Sequence, residues 1–187
     1  KQRNPQRGYA RDFISVLKEL LPYLKQKNIK ILTNAGGMNV ESAVAAAKEV
    51  IKKSGLNFKI GYVLGDDVMD KISELRTQGI EMENMDTGVS IDSILPQIVN
   101  ANVYFGAEPI IECLEGGADI IIVGRSTDSS LFLAPLAYEF GWQPSEWDSL
   151  STGILCGHLL ECGAQVVGGN YDYDWRSVPR PENLGYP

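Results

Sequence analysis

Four times along this chain a short apolar run ends in a glycine-bearing loop, and a run with helical spacing follows. Residues 29–33 lead into Asn34-Ala35-Gly36-Gly37-Met38-Asn39, and residues 58–64 into Gly65-Asp66-Asp67. Residues 101–105 lead into Gly106-Ala107-Glu108, and 118–123 into Gly124-Arg125-Ser126-Thr127-Asp128. A strand followed by a helix and then another strand forms a right-handed crossover, so this alternation predicts a parallel sheet. The expected fold class is α/β, a Rossmann-like layered sheet with helices on both faces. Residues 118–123 are apolar almost without interruption, as a strand buried on both faces must be.

The helical runs carry their own punctuation. Phe13, Val16, Leu17, Leu20, Leu21 and Leu24 recur at three- and four-residue steps within 9–27, which predicts an amphipathic helix. Pro22 inside it predicts a kink or an early break, and Asn28 a C-terminal cap. Asn39 reads as the N-cap of a helix over 40–53 that Gly55 ends. Further helices are expected over 68–77, over 109–115 with a proline in the first turn, up to about residue 140, and from 146 to about 163. The stretch 79–96 is weakly patterned and reads as a strand remnant, a loop and a short helix. The whole is expected to be one α/β domain, with the repeats filling 1–145 and a helix plus an extended surface tail filling 146–187. Ends without cap or tag, opening on Lys1, suggest an internal piece of a longer protein.

The sequence has 187 residues, 44% of them hydrophobic, and a net charge of −7. Without a dense run of Lys and Arg there is no counterion release to drive binding to a phosphate backbone, so nucleic acid is not an expected partner. No apolar stretch approaches the roughly 20 residues needed to cross a bilayer, and no signal peptide is expected. Three cysteines at no framework spacing point to a reducing compartment, with the cytoplasm as the expected location.

In open α/β sheets ligands sit beyond the carboxyl ends of the strands, where all four loops lie. Gly36 and Gly37 lack dinucleotide and P-loop spacing. They are either a tight turn or, with Asn34 and Asn39 on their flanks, a ligand contact. Of Asp66 and Asp67, one is expected to cap the next helix, while the other is free for a hydroxyl, a ribose or a divalent ion. Gly106 and Glu108 line the third loop. The fourth is the sharpest, placing Gly124, Arg125 and Ser126 where a guanidinium suits a carboxylate or phosphate, with Asp128 as a base or an orienting cap. His158, the single histidine, shares a helix face with Glu161 and with Cys162. That spacing allows an acid/base pair or a structural hydrogen bond. No second cluster completes a metal site, no hydrolase elbow is present, and nothing identifies a cofactor.

Six motifs in order carry a family resemblance. They are Gly8-Tyr9-Ala10-Arg11-Asp12-Phe13, the Asn34 loop, Gly65-Asp66-Asp67, Tyr104-Phe105-Gly106-Ala107-Glu108-Pro109-Ile110, the Gly124 loop, and the stretch from Gly157 through Gln165. Together they resemble the acyclic terpene utilisation AtuA-like family. The resemblance implies a place in acyclic terpene and branched acyl-CoA catabolism, and a parent protein longer at both ends. It assigns no reaction to any residue. Two functions are therefore expected as alternatives. One is an enzyme of lyase, hydratase or hydrolase type acting on a carboxylate, phosphate or acyl-CoA ligand. The other is a non-catalytic ligand-binding or assembly subunit, with a pathway partner or a second copy of itself.

Overall fold

The computed structural model describes residues 4–167 and Arg176, so the tail expected over 171–187 lies, Arg176 apart, outside the described residues. The chain divides into two compact units, Lys1–Thr127 and Asp128–Pro187.

The first unit is an α/β layer. Helix α1 (Arg11–Lys27) leads into strand β1 (Ile31–Thr33), helix α2 (Val40–Ser54) and strand β2 (Ile60–Tyr62). Helix α3 (Ile72–Thr77), helix α4 (Glu108–Glu115) and strand β3 (Ile120–Ile122) complete it. The strands pair in the order β1-β3-β2, both pairs parallel, with Ile31 and Ile60 flanking Ile120. The last strand is thus inserted between the first two, and all three isoleucines of β3 are fully buried.

Strand periodicity separates the two faces. Ile120 and Ile122 join Leu17, Leu21, Val44 and Ala47 in a core under α1 and α2. Gly61, in register with Ile121, turns towards α4, where a Cβ would lie 2.9 Å from that of Cys113. Helices therefore cover both faces, as the alternation predicts.

Local chemistry sets the helix ends. Asn28 takes the left-handed conformation (φ 53°) at the end of α1, and Gly55 (φ 70°) ends α2. The Asn39 carboxamide accepts from Ser42 N at 3.2 Å, capping α2. Pro22 does not break α1, which runs on to Lys27 with Leu21 and Leu24 buried on either side of it. An interior proline costs about 3 kcal/mol, and two buried leucines return about that much or more.

The third expected strand, 101–105, is a correction. It forms only isolated bridges, Asp67 with Asn102 and Phe105 with Ser126. Phe105 N donates to Arg125 O and Val103 N to Asp66 O. The segment therefore pairs with the loops that leave β2 and β3 rather than with a strand. Residues 79–96 hold one bridge (Glu83 with Ser90) and a 3-10 turn over Ile91–Ser93, with a second over Leu95–Gln97.

The second unit holds α5 (Ser130–Phe140) and α6 (Trp147–Glu161). They pack through glycine: Gly153 and Gly157 are the buried residues of α6, against Leu133, Trp142 and Ser129. No helix among the described residues is long and apolar enough to cross a membrane.

Candidate functional site

The strand ends of the first unit are built around loops that contact one another. Gly36 N donates to Val123 O at 3.1 Å, and a Cβ on Gly36 would sit 2.5 Å from that carbonyl. The β1 loop thus closes onto the end of β3 only because residue 36 has no side chain. Gly37 (φ 53°) faces Gly8, whose carbonyl accepts from Met38 N at 2.8 Å. Asn39 completes this strap. Its amide donates to Pro5 O at 2.7 Å and Arg7 O at 2.9 Å, while its oxygen caps α2. Asn39 is buried, and its hydrogen-bonding groups hold the 4–8 segment.

Across β3, Asp66 is buried and accepts at Oδ2 from Arg125 N at 3.0 Å and from Asn102 Nδ2 at 3.2 Å. Gly124 makes room for it, since a Cβ there would lie 2.6 Å from the same oxygen. Neither aspartate caps the following helix, a correction to the expected pair: α3 begins after Lys71 without a side-chain cap, and Asp67 Oδ1 accepts from Met69 N at 3.2 Å in the turn before it. A Cβ on Gly106 would meet the Glu108 carboxylate at 2.5 Å, so that side chain folds back over the first turn of α4, where the helix dipole favours a negative charge.

Asp66 thereby fixes the backbone from which Arg125 projects. The exposed guanidinium hydrogen-bonds the Tyr104 hydroxyl and lies 4.6 Å from the centre of its ring. No carboxylate pairs with it among the described residues. Next to it, Ser126 Oγ is buried without a hydrogen-bond partner among the described residues. Asn34, Asp67 and Glu108 are exposed with Arg125. Gly36, Gly37, Asn39, Asp66 and Gly124 are engaged by the chain itself.

An open cleft of about 830 Å³ lies beside these loops, lined by Pro5, Met38, Asn39, Glu41, Ser42, Asp67, Met69, Asp70, Val99 and Asn100. A hollow of about 210 Å³ shares Met38, Asn39, Glu41 and Asp67 with it and extends to Leu64, Gly65 and Asp66. Sequence reasoning missed most of this lining, and also Tyr104. Met69 and Val99 belong to no motif, and Met38 was not singled out within the Asn34 loop; only their placement past the ends of β1 and β2 brings them together.

The acid/base candidates all belong to the second unit. Glu161 accepts from the Cys162 thiol at 3.1 Å, and His158 is exposed. That hydrogen bond, reinforced by the charges of Glu161 and Asp128, holds the Cys162 thiol above its ordinary pKa. Asp128 and Glu161 thus act on one thiol.

A family model described as acyclic terpene utilisation family protein AtuA matches residues 1–187, the whole chain. The chain belongs to the AtuA family. Membership points to a role in acyclic terpene utilisation. No curated protein and no solved structure matches at a significant level, so the family supplies the setting of this AtuA chain, and its own geometry must supply the chemistry.

Proposed function

We propose that this AtuA chain holds a small anionic ligand (a carboxylate, phosphate or acyl-CoA of acyclic terpene or branched-chain breakdown) at the carboxyl ends of its strands. Arg125 carries the reading. Its guanidinium is exposed and stacked on Tyr104 without a carboxylate partner among the described residues, and its backbone is pinned by buried Asp66. A planar donor fork in that state is ready for bidentate binding of a carboxylate or phosphate. Lyase, hydratase or hydrolase chemistry would need a proton-transfer group, for which Asp128, His158 and Glu161 of the second unit are the candidates.

The test is thermal unfolding with acyl-CoAs, carboxylates and phosphates. A ligand at about 100 times its Kd stabilises the fold by about 2.7 kcal/mol. The expected result is a shift of several degrees that Arg125→Ala abolishes and Arg125→Lys only partly restores. An unchanged shift in Arg125→Ala overturns the assignment.

A specific observation favours the assembly subunit as a second reading. Helix α6 leaves Trp147, Leu155, Leu159 and Leu160 exposed, more apolar surface than a lone helix face usually shows water. Loss of association in Leu155→Glu, with no ligand response from the unaltered protein, would favour that reading over the enzyme.

A further inference from the structure

We infer that Tyr104 is a second ligand-binding group, whose hydroxyl donates to an oxygen of the anion held by Arg125. The inference rests on the Arg125 reading above and deepens it, replacing a lone guanidinium by a guanidinium and a phenol side by side.

Residues 102–105 have no place in the sheet, yet hydrogen bonds tie their backbone on both sides. Towards the β2 loop, Val103 N donates to Asp66 O at 2.8 Å and Ala101 O accepts from Val68 N at 2.9 Å, across the bridge of Asp67 with Asn102. Towards the β3 loop, Phe105 N donates to Arg125 O at 3.3 Å and Phe105 O accepts from Thr127 N at 2.9 Å, across the parallel bridge with Ser126. Tyr104 and Arg125 each stand one residue before that bridge. Side chains alternate along an extended segment, so these two share one face, and Phe105 and Ser126 take the other. Exposure agrees with that alternation: Ser126 is buried, whereas Tyr104 (53%) and Arg125 are exposed. Backbone register thus brings the two groups together, with the guanidinium carbon 4.6 Å from the ring centre. A guanidinium has no acceptor, so towards Arg125 the phenol can only accept, and its own proton is left for a second acceptor. Arg125 spends one N–H on this contact and keeps the rest of its donor fork beside the phenol. A carboxylate or phosphate presents two or more oxygens, enough to meet the fork and the phenol at once.

The test is a nuclear magnetic resonance titration of the whole chain, its tyrosines labelled at ring Cζ, with isovalerate and with inorganic phosphate. One resonance, assigned to Tyr104 by its absence from Tyr104→Phe, is expected to shift with the probe that binds. Tyr104→Phe keeps the ring and loses the hydroxyl, while Tyr104→O-methyltyrosine keeps the ring and the acceptor oxygen and loses only the proton. Both are expected to weaken that probe about tenfold, as for a hydrogen bond to a charged group. Full affinity in the O-methyl variant, with the loss confined to Tyr104→Phe, would mean that the hydroxyl only steadies Arg125, and overturns the inference. Full affinity in both variants overturns it as well. Arg125→Ala separates the two readings. A loss there, with both Tyr104 variants unchanged, leaves the Arg125 reading standing alone. No loss there overturns the Arg125 reading and the shared site with it. Binding of neither probe overturns both.

Discussion

Asp66 shows how much one side chain can determine at the end of a sheet. Its carboxylate joins the β2 loop to the backbone of the β3 loop and to Asn102, and it fits because position 124 has no Cβ. Ser126 is the opposite case, a hydroxyl out of reach of solvent with no hydrogen-bond partner among the described residues. An unsatisfied buried polar group costs about 1–3 kcal/mol, whereas an alanine there would lose only that hydroxyl. Ser126→Ala is therefore expected to raise stability by about 1 kcal/mol. Gly124→Ala, which drives a methyl into the Asp66 carboxylate, is expected to lower it by about 1–3 kcal/mol. Urea unfolding of both variants checks this pair, and a destabilised Ser126→Ala would mean that the hydroxyl has a partner in solution. The sequence made these loops legible as places of close approach. It did not reveal that what approaches Gly36 and Gly124 is the chain's own carbonyl and carboxylate, because a glycine records that space is needed and not which atom fills it.

At the scale of elements, the helices were legible wherever a cap or a stop was written into the chain, as at Asn28, Asn39 and Gly55. The early break that Pro22 allowed and the strand expected over 101–105 did not form, for one reason: local propensity was outweighed by tertiary partners. Leu21 and Leu24 carry α1 through the proline, while the loops at Asp66 and Arg125 take up the hydrogen bonds of 101–105 before a ladder can form. The contact between α5 and α6 gives the sharpest prediction at this scale. Both Gly153 and Gly157 face α5, but their obstacles differ. A Cβ at 153 meets the side chains of Leu133 and Trp142, whereas one at 157 meets Ser129 at 2.8 Å to Cβ and 2.9 Å to the backbone carbonyl. Alanine gains about 1 kcal/mol over glycine in a helix interior, and flexible side chains can yield while a backbone cannot. Gly153→Ala is thus expected to be near neutral and Gly157→Ala to cost about 1–2 kcal/mol, read as a difference in melting temperature. Equal costs would show that the α5–α6 contact adjusts as a whole.

Across the whole molecule, the buried core cluster among the described residues belongs to one unit. Its members, from Leu17 through Ala47 and Ile51 to Ile122, come from α1, α2 and β3, and the strap, the cleft and Arg125 lie in the same Lys1–Thr127 segment. The division at Thr127 was not legible in the sequence, because the repeat of strand, loop and helix continues through it without a linker. Domains of about 130 residues bury some two thirds of the surface their unfolded chains expose, and this unit has its central strand sealed on both faces by its own helices. A fragment ending at Thr127 is therefore expected to fold by itself, to unfold in one cooperative thermal transition, and to keep any ligand response that depends on Arg125. Circular dichroism across the transition, repeated with the ligand that stabilises the full chain, decides the matter. A gradual, non-cooperative melt would mean that the sheet needs α5 and α6 to hold its packing. A cooperative melt with the ligand response lost would instead move part of the binding site into the second unit, where Asp128, His158 and Glu161 stand.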